Sequence, residues 1–511
     1  MENAVELKNV TKTFGLITAN NNVSMDIRRG EILALLGENG SGKTTLMNML
    51  GGIYFPDKGE IFVNGKQVEI TSPKDSYALG IGMVHQHFKL VDVFTAAENI
   101  ALGLEKGKKF NLNAVKEEAR AICDKYGFEL HMDQKVYQMS VSQKQTLEIV
   151  KVLYRGADIL ILDEPTAVLT PQETEKLFAV IRNMKSDNKS VVIITHKLKE
   201  VLEISDRVAI LRKGEHIGTV DTKDATESSL TEMMVGEKVE LNINRIPPVD
   251  PKKRVEVEHL TIYDEQNVKV LDDVSFTVNG GEIFGIAGIS GNGQKELLEA
   301  IAGLQKTADG SRIVYFAGEK ADKEMNLLGM TPKAIRDEGI GLAFVPEDRL
   351  GMGLVGSMGM TDNMMLKTYD SGKGIVVDRS IPRRRAEMIR KRLGVVTPGL
   401  NTPVSRLSGG NVQKVLVGRE LASNPTVLMM AYAVRGLDIN TSYTIYNLLN
   451  DEKKKGVAVI YVGEELDVLL ELCDRIMVLC GGRQNGILDA RKTTKEEVGL
   501  LMTNLQERSR A

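Results

Sequence analysis

The sequence predicts an α/β protein built as two tandem copies of one domain, each around a mainly parallel sheet. Three observations predict it. The first is repetition. "VELKNVTKTF" (5–14) returns as "VEVEHLTIYD" (255–264), "NNVSMDIRRGEILALLGENGSGK" (21–43) as "DDVSFTVNGGEIFGIAGISGNGQK" (272–295), and "SDRVAILRKG" (205–214) as "CDRIMVLCGG" (473–482). Echoes in one order mean homologous halves, and a repeat sets the architecture before any local pattern does. The second is a set of short apolar runs, "EILALLG" (31–37), "DILILDE" (158–164) and "SVVIITH" (190–196), with the length and β-branched content of buried parallel strands. The third is the helical spacing of Leu46, Met49, Leu50 and Ile53 after the first run. Strands alternating with helices specify a parallel α/β domain, whose ligands sit at the carboxyl ends of the strands.

Length alone, 511 residues, predicts about three domains at ~150 residues each; the repeat reduces this to two. The expected boundaries are 1–243 for the first domain and 255–511 for the second. Between them lies a linker, "NRIPPVDPKKR" (244–254), rich in proline and charge as boundaries are. The second copy is longer, chiefly around 305–335. Sixty-six basic and 69 acidic side chains leave a net charge of −3, which offers no general attraction to nucleic acid. Cys123, Cys473 and Cys480 have neither metal-ligand spacing nor the number for a disulfide framework, and are read as reduced thiols. "MENAVELKNV" lacks the basic and apolar regions of an export signal. No stretch approaches the ~18–20 apolar residues that cross a bilayer. A soluble chain is expected, with any membrane contact made through a partner.

The chemistry concentrates in the first half. "GENGSGKT" (37–44) fits G-x-x-x-x-G-K-[ST], in which glycines let backbone N–H groups curl around phosphate oxygens. In this stretch Gly37, Glu38, Asn39, Gly40, Ser41, Gly42, Lys43, Thr44 and the following Thr45 form the nucleotide cradle. Lys43 supplies charge to the outer phosphates, the Thr44 hydroxyl suits Mg²⁺, and the helix opening there adds its dipole. Asp163 and Glu164 close a strand. Adjacent carboxylates there are either a solvated strand end or a working pair, Asp163 for Mg²⁺ and Glu164 to activate a water against the γ-phosphate. Gln86 after "IGMVHQ" and His196 after "IITH" also stand at strand ends. Each alone is more simply a structural residue; with the loop they form a set.

This order of phosphate loop, "VHQ", a serine-rich signature, "ILILDEPTAVL" and "IITH" resembles the nucleotide-binding domain of ATP-binding cassette (ABC) proteins, over essentially the whole chain. The resemblance implies a RecA-like sheet core, an antiparallel β subdomain and a helical subdomain at about 90–150. It further implies ATP and Mg²⁺ as cofactors, Phe14 stacking on adenine, Gln86 at the Mg²⁺ and membrane-partner side, and His196 on the γ-phosphate. Sites in this family pair the phosphate loop of one domain with the signature of the other.

The halves differ in a sorted way. In the second, Gln294 stands for Lys43, Lys295 for Thr44, Glu347 for Gln86, Ala431 and Tyr432 for Asp163 and Glu164, and Glu464 for His196. Yet this half carries the near-consensus signature "LSGGN" (Leu407, Ser408, Gly409, Gly410, Asn411) and Asp438 in "RGLD". The first half has "MSVSQ", with Ser140 and Ser142 but no glycine, and Thr170 in "AVLT". On the family's pairing rule, every intact element belongs to one composite site and every altered one to the other, so one site is expected to hydrolyse ATP and the other to be degenerate.

A double cassette without spans, with "PEDR" (346–349) and "EEL" (464–466), resembles the sugar and nucleoside import branch. "HQHFKLVDVFTAAENIALG" (85–103) resembles its nucleoside-uptake members, with ribose- or galactose-type sugar importers as the alternative. Implied partners are two multispanning permease subunits, contacted after Gln86 and after Glu347, and an extracytoplasmic substrate-binding protein acting through them; no nucleic acid is expected. The implied place is the cytoplasmic face of the cell membrane. Twin cassettes also serve as translation factors, but those carry two complete sites and a long basic linker. A non-hydrolysing regulator conflicts with the complete catalytic set of the first half.

Overall fold

The computed structural model describes residues 2–15, 17–86, 88–103, 111–167, 169–236, 243–248, 251–289, 291–318, 323–367, 369 and 378–503. Two compact units divide the chain, Met1–Leu241 and Asn242–Ala511, so the estimate of three domains from length does not hold. Arg245, in the expected linker, bonds the carbonyls of Leu470 and Cys473, and Lys253 already begins a strand. Much of 244–254 is thus part of the second unit, while Val249 and Asp250 lie outside the described residues.

The first unit has two sheets. The strands are β1 (Asn3–Phe14), β2 (Ile17–Arg28), β3 (Ile32–Leu36), β4 (Lys58–Val63), β5 (Lys66–Val68), β6 (Ile81–Val84), β7 (Ile159–Asp163), β8 (Ser190–Ile194), β9 (Arg207–Arg212) and β10 (Glu215–Asp221). Four form an antiparallel sheet in the order β2-β1-β4-β5, and six form the core in the order β10-β9-β3-β8-β7-β6. All pairings from β9 to β6 are parallel, and β10 adds antiparallel at the edge. β3, β7 and β8 are buried along their whole length, which explains their unbroken apolar runs: parallel strands are covered on both faces. Three helices, Ala96–Ala101, Leu112–Tyr126 and Val141–Tyr154, enclose a separate core of Ile100, Val115, Ala119, Met132, Val136 and Leu147; this is the helical subdomain expected at about 90–150.

The second unit repeats the plan. Its strands are β11 (Lys253–Tyr263), β12 (Lys269–Asn279), β13 (Ile283–Ala287), β14 (Arg312–Ala317), β15 (Lys323–Asn326), β16 (Leu342–Val345), β17 (Val427–Ala431), β18 (Ala458–Val462), β19 (Arg475–Cys480) and β20 (Arg483–Asp489). They order as β12-β11-β14-β15 and β16-β17-β18-β13-β19-β20, element for element the same. Matching registers equate Phe62 with Val314, Ile81 with Leu342 and Ile159 with Val427. The additional residues therefore fall between β14 and β16, as the sequence suggests, and again between β16 and β17.

One helix ends early. The helix after β3 is Lys43–Leu50, stopped at Gly51; Leu46, Met49 and Leu50 are buried, but Ile53 is 46% exposed. The pair Gly51-Gly52 breaks the helix before the fourth apolar position. A Cβ on Gly52 would meet the Ser72 carbonyl oxygen at 2.2 Å, so close packing at the turn requires glycine. The three cysteines are free and buried; burial pushes the Cys123 thiol up to about 11.

Candidate functional site

In the first unit the loop after β3 delivers backbone N–H groups to the mouth of the Lys43–Leu50 helix. Gly42 adopts φ 95° at the N-cap, and a Cβ there would meet the Ala19 carbonyl oxygen at 2.3 Å; only glycine fits this cradle. Lys43, 7% exposed, donates from Nζ to the carbonyls of Gly37 (2.7 Å) and Glu38 (3.0 Å). Burial pushes its acidity up, against the pull of Glu164, Asp163 and Glu38. The ammonium is thus desolvated and aimed into the loop before any ligand arrives, where a phosphate gains most from it.

The neighbouring strand ends supply the rest. Asp163, the last residue of β7, hydrogen-bonds Thr44, and burial together with the adjacent Glu164 charge pushes its carboxyl up to about 6. Glu164 has a left-handed backbone, φ 49°, held by its N–H on the Ile194 carbonyl at 2.9 Å. Such strain in a non-glycine residue persists where a side chain must be aimed. Glu164 Oε1 lies 2.9 Å from His196 Nδ1, whereas Oε2 is buried with no hydrogen-bond partner among the described residues. Ser41 Oγ is likewise buried and unpartnered. Lys43, Thr44, Asp163, Glu164 and His196 are therefore brought together. Orphaned oxygens facing a glycine cradle, beside a hydroxyl and a carboxylate suited to a hard divalent cation, fit a Mg²⁺-nucleotide.

Two expected residues stand apart from this cluster. Gln86 is exposed two positions beyond β6 and makes no side-chain hydrogen bond among the described residues. Phe14, 43% exposed, packs edge-on against Tyr54 at 5.1 Å with Lys12 Nζ 5.5 Å above its ring.

In the second unit the same backbone carries different chemistry. Gly293 holds φ 94° at the N-cap of the Gln294–Ile301 helix. Gln294 Nε2 donates to the Ile289 carbonyl at 3.1 Å, standing in for the lysine's grip on its own loop without its charge. Lys295 does not face the loop as a spare cation: it pairs along the helix with Glu299 at 3.7 Å. Ala431 ends β17, and Tyr432 repeats the strained conformation of Glu164, φ 48°, with burial pushing its hydroxyl up to about 12. Glu347 and Glu464 are bridged by Arg435, at 2.6 and 3.1 Å. Arg435 is the residue that sequence reasoning missed; it opens the quoted "RGLD", and only the two strand-end glutamates betray its role. Ser290 lies outside the described residues.

The two signatures cap homologous helices. Ser140 caps Val141–Tyr154 and contacts Ser142 Oγ at 3.1 Å. Ser408 caps Gly409–Leu421, accepting from Asn411 Nδ2 at 2.8 Å, with Leu407 partly buried on the core. A Cβ on Gly410 would come 3.2 Å from Asp438 Oδ2, and Asp438 itself caps the Ile439–Lys454 helix through Thr441.

The family model for ABC transporters matches residues 20–167 and 271–430. The guanosine import ATP-binding protein NupO of Bacillus subtilis (strain 168) is 40% identical over 508 residues, 98% of both chains. The nucleoside import ATP-binding protein NupA of Lactococcus lactis subsp. cremoris (strain MG1363) is 40% identical over 507 residues, 98% of both. The ribose import ATP-binding protein RbsA of Corynebacterium glutamicum is 37% identical over 497 residues, covering 97% of this chain and 92% of that one. A duplicated parallel core, a phosphate loop in each copy and matches spanning both halves place the chain in the ABC transporter family, among its two-cassette ATP-binding, ATP-hydrolysing proteins.

Proposed function

We propose that this chain energises import of nucleosides through a membrane transporter, and that only the first cassette's phosphate loop supports hydrolysis. The single observation that carries the catalytic part is the grouping of Lys43, Thr44, Asp163, Glu164 and His196 at adjoining strand ends, opposed by Gln294, Ala431, Tyr432 and the Glu347–Arg435–Glu464 bridge in the second cassette. Lys43 and the loop N–H groups hold and orient the outer phosphates. Thr44 and Asp163 would hold Mg²⁺, which supplies charge neutralisation to them. Glu164 Oε2 takes the proton of the attacking water, while His196 fixes the carboxylate through Oε1.

Nucleosides are favoured as cargo because two relatives matching over nearly the full chain are a guanosine and a nucleoside import protein; a sugar is the second reading, favoured by the ribose import relative. Two permeases and an extracytoplasmic binding protein complete the assembly, with this chain peripheral on the cytoplasmic face. Exposed apolar side chains follow both strand-end positions, Val91 and Val93 after Gln86, and Leu350, Met352, Val355 and Met358 after Glu347, as a permease contact requires. Among the described residues no helix is long and apolar enough to cross a membrane.

The test is phosphate release by the reconstituted transporter. Lys43→Ala or Glu164→Gln reduces it at least about a hundredfold, as expected for loss of a preorganised transition-state contact, while Gln294→Ala leaves most of it. Equal losses from both cassettes refute the asymmetry. Stimulation by a binding protein loaded with ribose but not with guanosine overturns the nucleoside reading alone.

A further inference from the structure

The helix Ser380–Arg392, "SIPRRRAEMIRKR", carries a surface that nucleotide chemistry does not use. Its inner face, Pro382, Ala386 and Ile389, is buried. Ile389 packs so closely on the signature helix that a Cβ on Gly418 would come 2.5 Å from its Cγ2. The helix carries Arg383, Arg384, Arg385, Arg390, Lys391 and Arg392 away from that face against one carboxylate of its own, Glu387; Asp378 just before it acts on Arg384, and none of these six bases has an ion-pair partner among the described residues. The fold does not demand this charge. The equivalent helix of the first unit, Leu112–Tyr126, balances Lys116, Arg120 and Lys125 with Glu117, Glu118 and Asp124, and two of its lysines are paired, with Asp133 and Asp187.

Two apolar side chains interrupt the basic face. Ile381 and Met388 are 49% and 51% exposed and, seven residues apart, share one line along the helix. By the same periodicity Arg384 and Lys391 flank that line on one side, and Arg385 and Arg392 on the other. An apolar stripe bordered by long cationic side chains is the pattern of a helix lying at a lipid–water boundary, where stems reach past the apolar contact and charges meet headgroups. A nucleic acid uses the charges but not the stripe, and the helix has no aromatic ring on which a base could stack.

We infer that the outer face of Ser380–Arg392 docks on an anionic lipid surface, so that the second cassette contacts the membrane directly as well as through permeases. The import reading supplies only the place where such a surface is met; the contact itself needs no permease and no turnover.

The experiment sediments the purified full chain with vesicles of phosphatidylcholine alone or mixed with phosphatidylglycerol. Binding is expected to the mixed vesicles only, weakened by salt. Each base near the surface contributes roughly fivefold in affinity, so Arg384→Gln with Lys391→Gln and Arg392→Gln lowers binding about a hundredfold, and Ile381→Ser with Met388→Ser lowers it less steeply. ATP hydrolysis by these variants equals that of the parent, which shows that they fold and separates this inference from the catalytic one. Equal binding to both vesicle types, no binding to either, or retention by the glutamine variant overturns it, as does tighter salt-sensitive binding to RNA than to the mixed vesicles.

Discussion

Asp163 combines two demands that oppose each other without a ligand. It is 6% exposed, and burial with the neighbouring Glu164 charge outweighs Thr44 and Lys43, raising its carboxyl to about 6. A carboxyl raised above its unfolded value near 4 makes folding bind a proton, so the metal-free protein loses stability as pH rises through about 4 to 6. Asp163→Asn removes that penalty, about 3 kcal/mol at pH 7, and raises the melting temperature by several degrees in EDTA, with little effect near pH 4. The same variant loses the added stability that Mg²⁺ brings to nucleotide. A lower melting temperature at both pH values refutes this account. Lys43, Asp163 and Glu164 are legible in sequence because phosphate chemistry fixes their spacing. The left-handed turn at Glu164 and the Arg435 bridge are not, because neither follows from local pattern: the first is forced by the strand end, the second by two glutamates more than a hundred residues apart in the chain.

At the scale of elements, apolar runs announce β3, β7 and β8 because a strand buried on both faces has no room for alternation. Helix ends read less well, as Ile53 shows, since a glycine pair decides them. The polar ties between strands are invisible until register is known. Glu31, just before β3, is 4% exposed and meets Arg207 of β9 at 3.4 Å, and Arg207 also holds Asp26 of β2 at 3.0 Å. The second unit repeats this with Glu282 and Arg475 at 2.6 Å. Burial pushes the Glu31 carboxyl up, against the pull of the Arg28 backbone N–H and Arg207, so the pair is held under desolvation strain. Removing one partner of a buried pair leaves the other uncompensated and costs about 3–5 kcal/mol. Arg207→Ala is therefore expected to lower the unfolding free energy of the first unit, read from urea melts, by that order, whereas Arg29→Ala, whose pair with Glu2 is exposed, changes it by less than about 1 kcal/mol. Equal shifts would show that Arg207 is not the tie between the two sheets.

Across the whole molecule, duplication has conserved backbone and released chemistry. Strand orders match one for one, both phosphate loops open a helix through a left-handed glycine, and Tyr432 keeps the strain of Glu164. The second copy keeps the shape of the first while Gln294, Ala431 and Tyr432 stand where the first has Lys43, Asp163 and Glu164. Restoring one residue should then restore nothing. In Gln294→Lys the new ammonium would find the loop carbonyl it needs, but Ala431 offers no carboxylate, Tyr432 has a hydroxyl that stays protonated, and Arg435 remains tied between Glu347 and Glu464. Vanadate trapping of the assembled transporter with Mg-ATP is expected to capture one equivalent of nucleotide per chain, in the parent and in Gln294→Lys alike, and none in Lys43→Ala. A second trapped equivalent in the parent would show that the rear cassette turns over despite its altered residues, and the asymmetric model would fall with it.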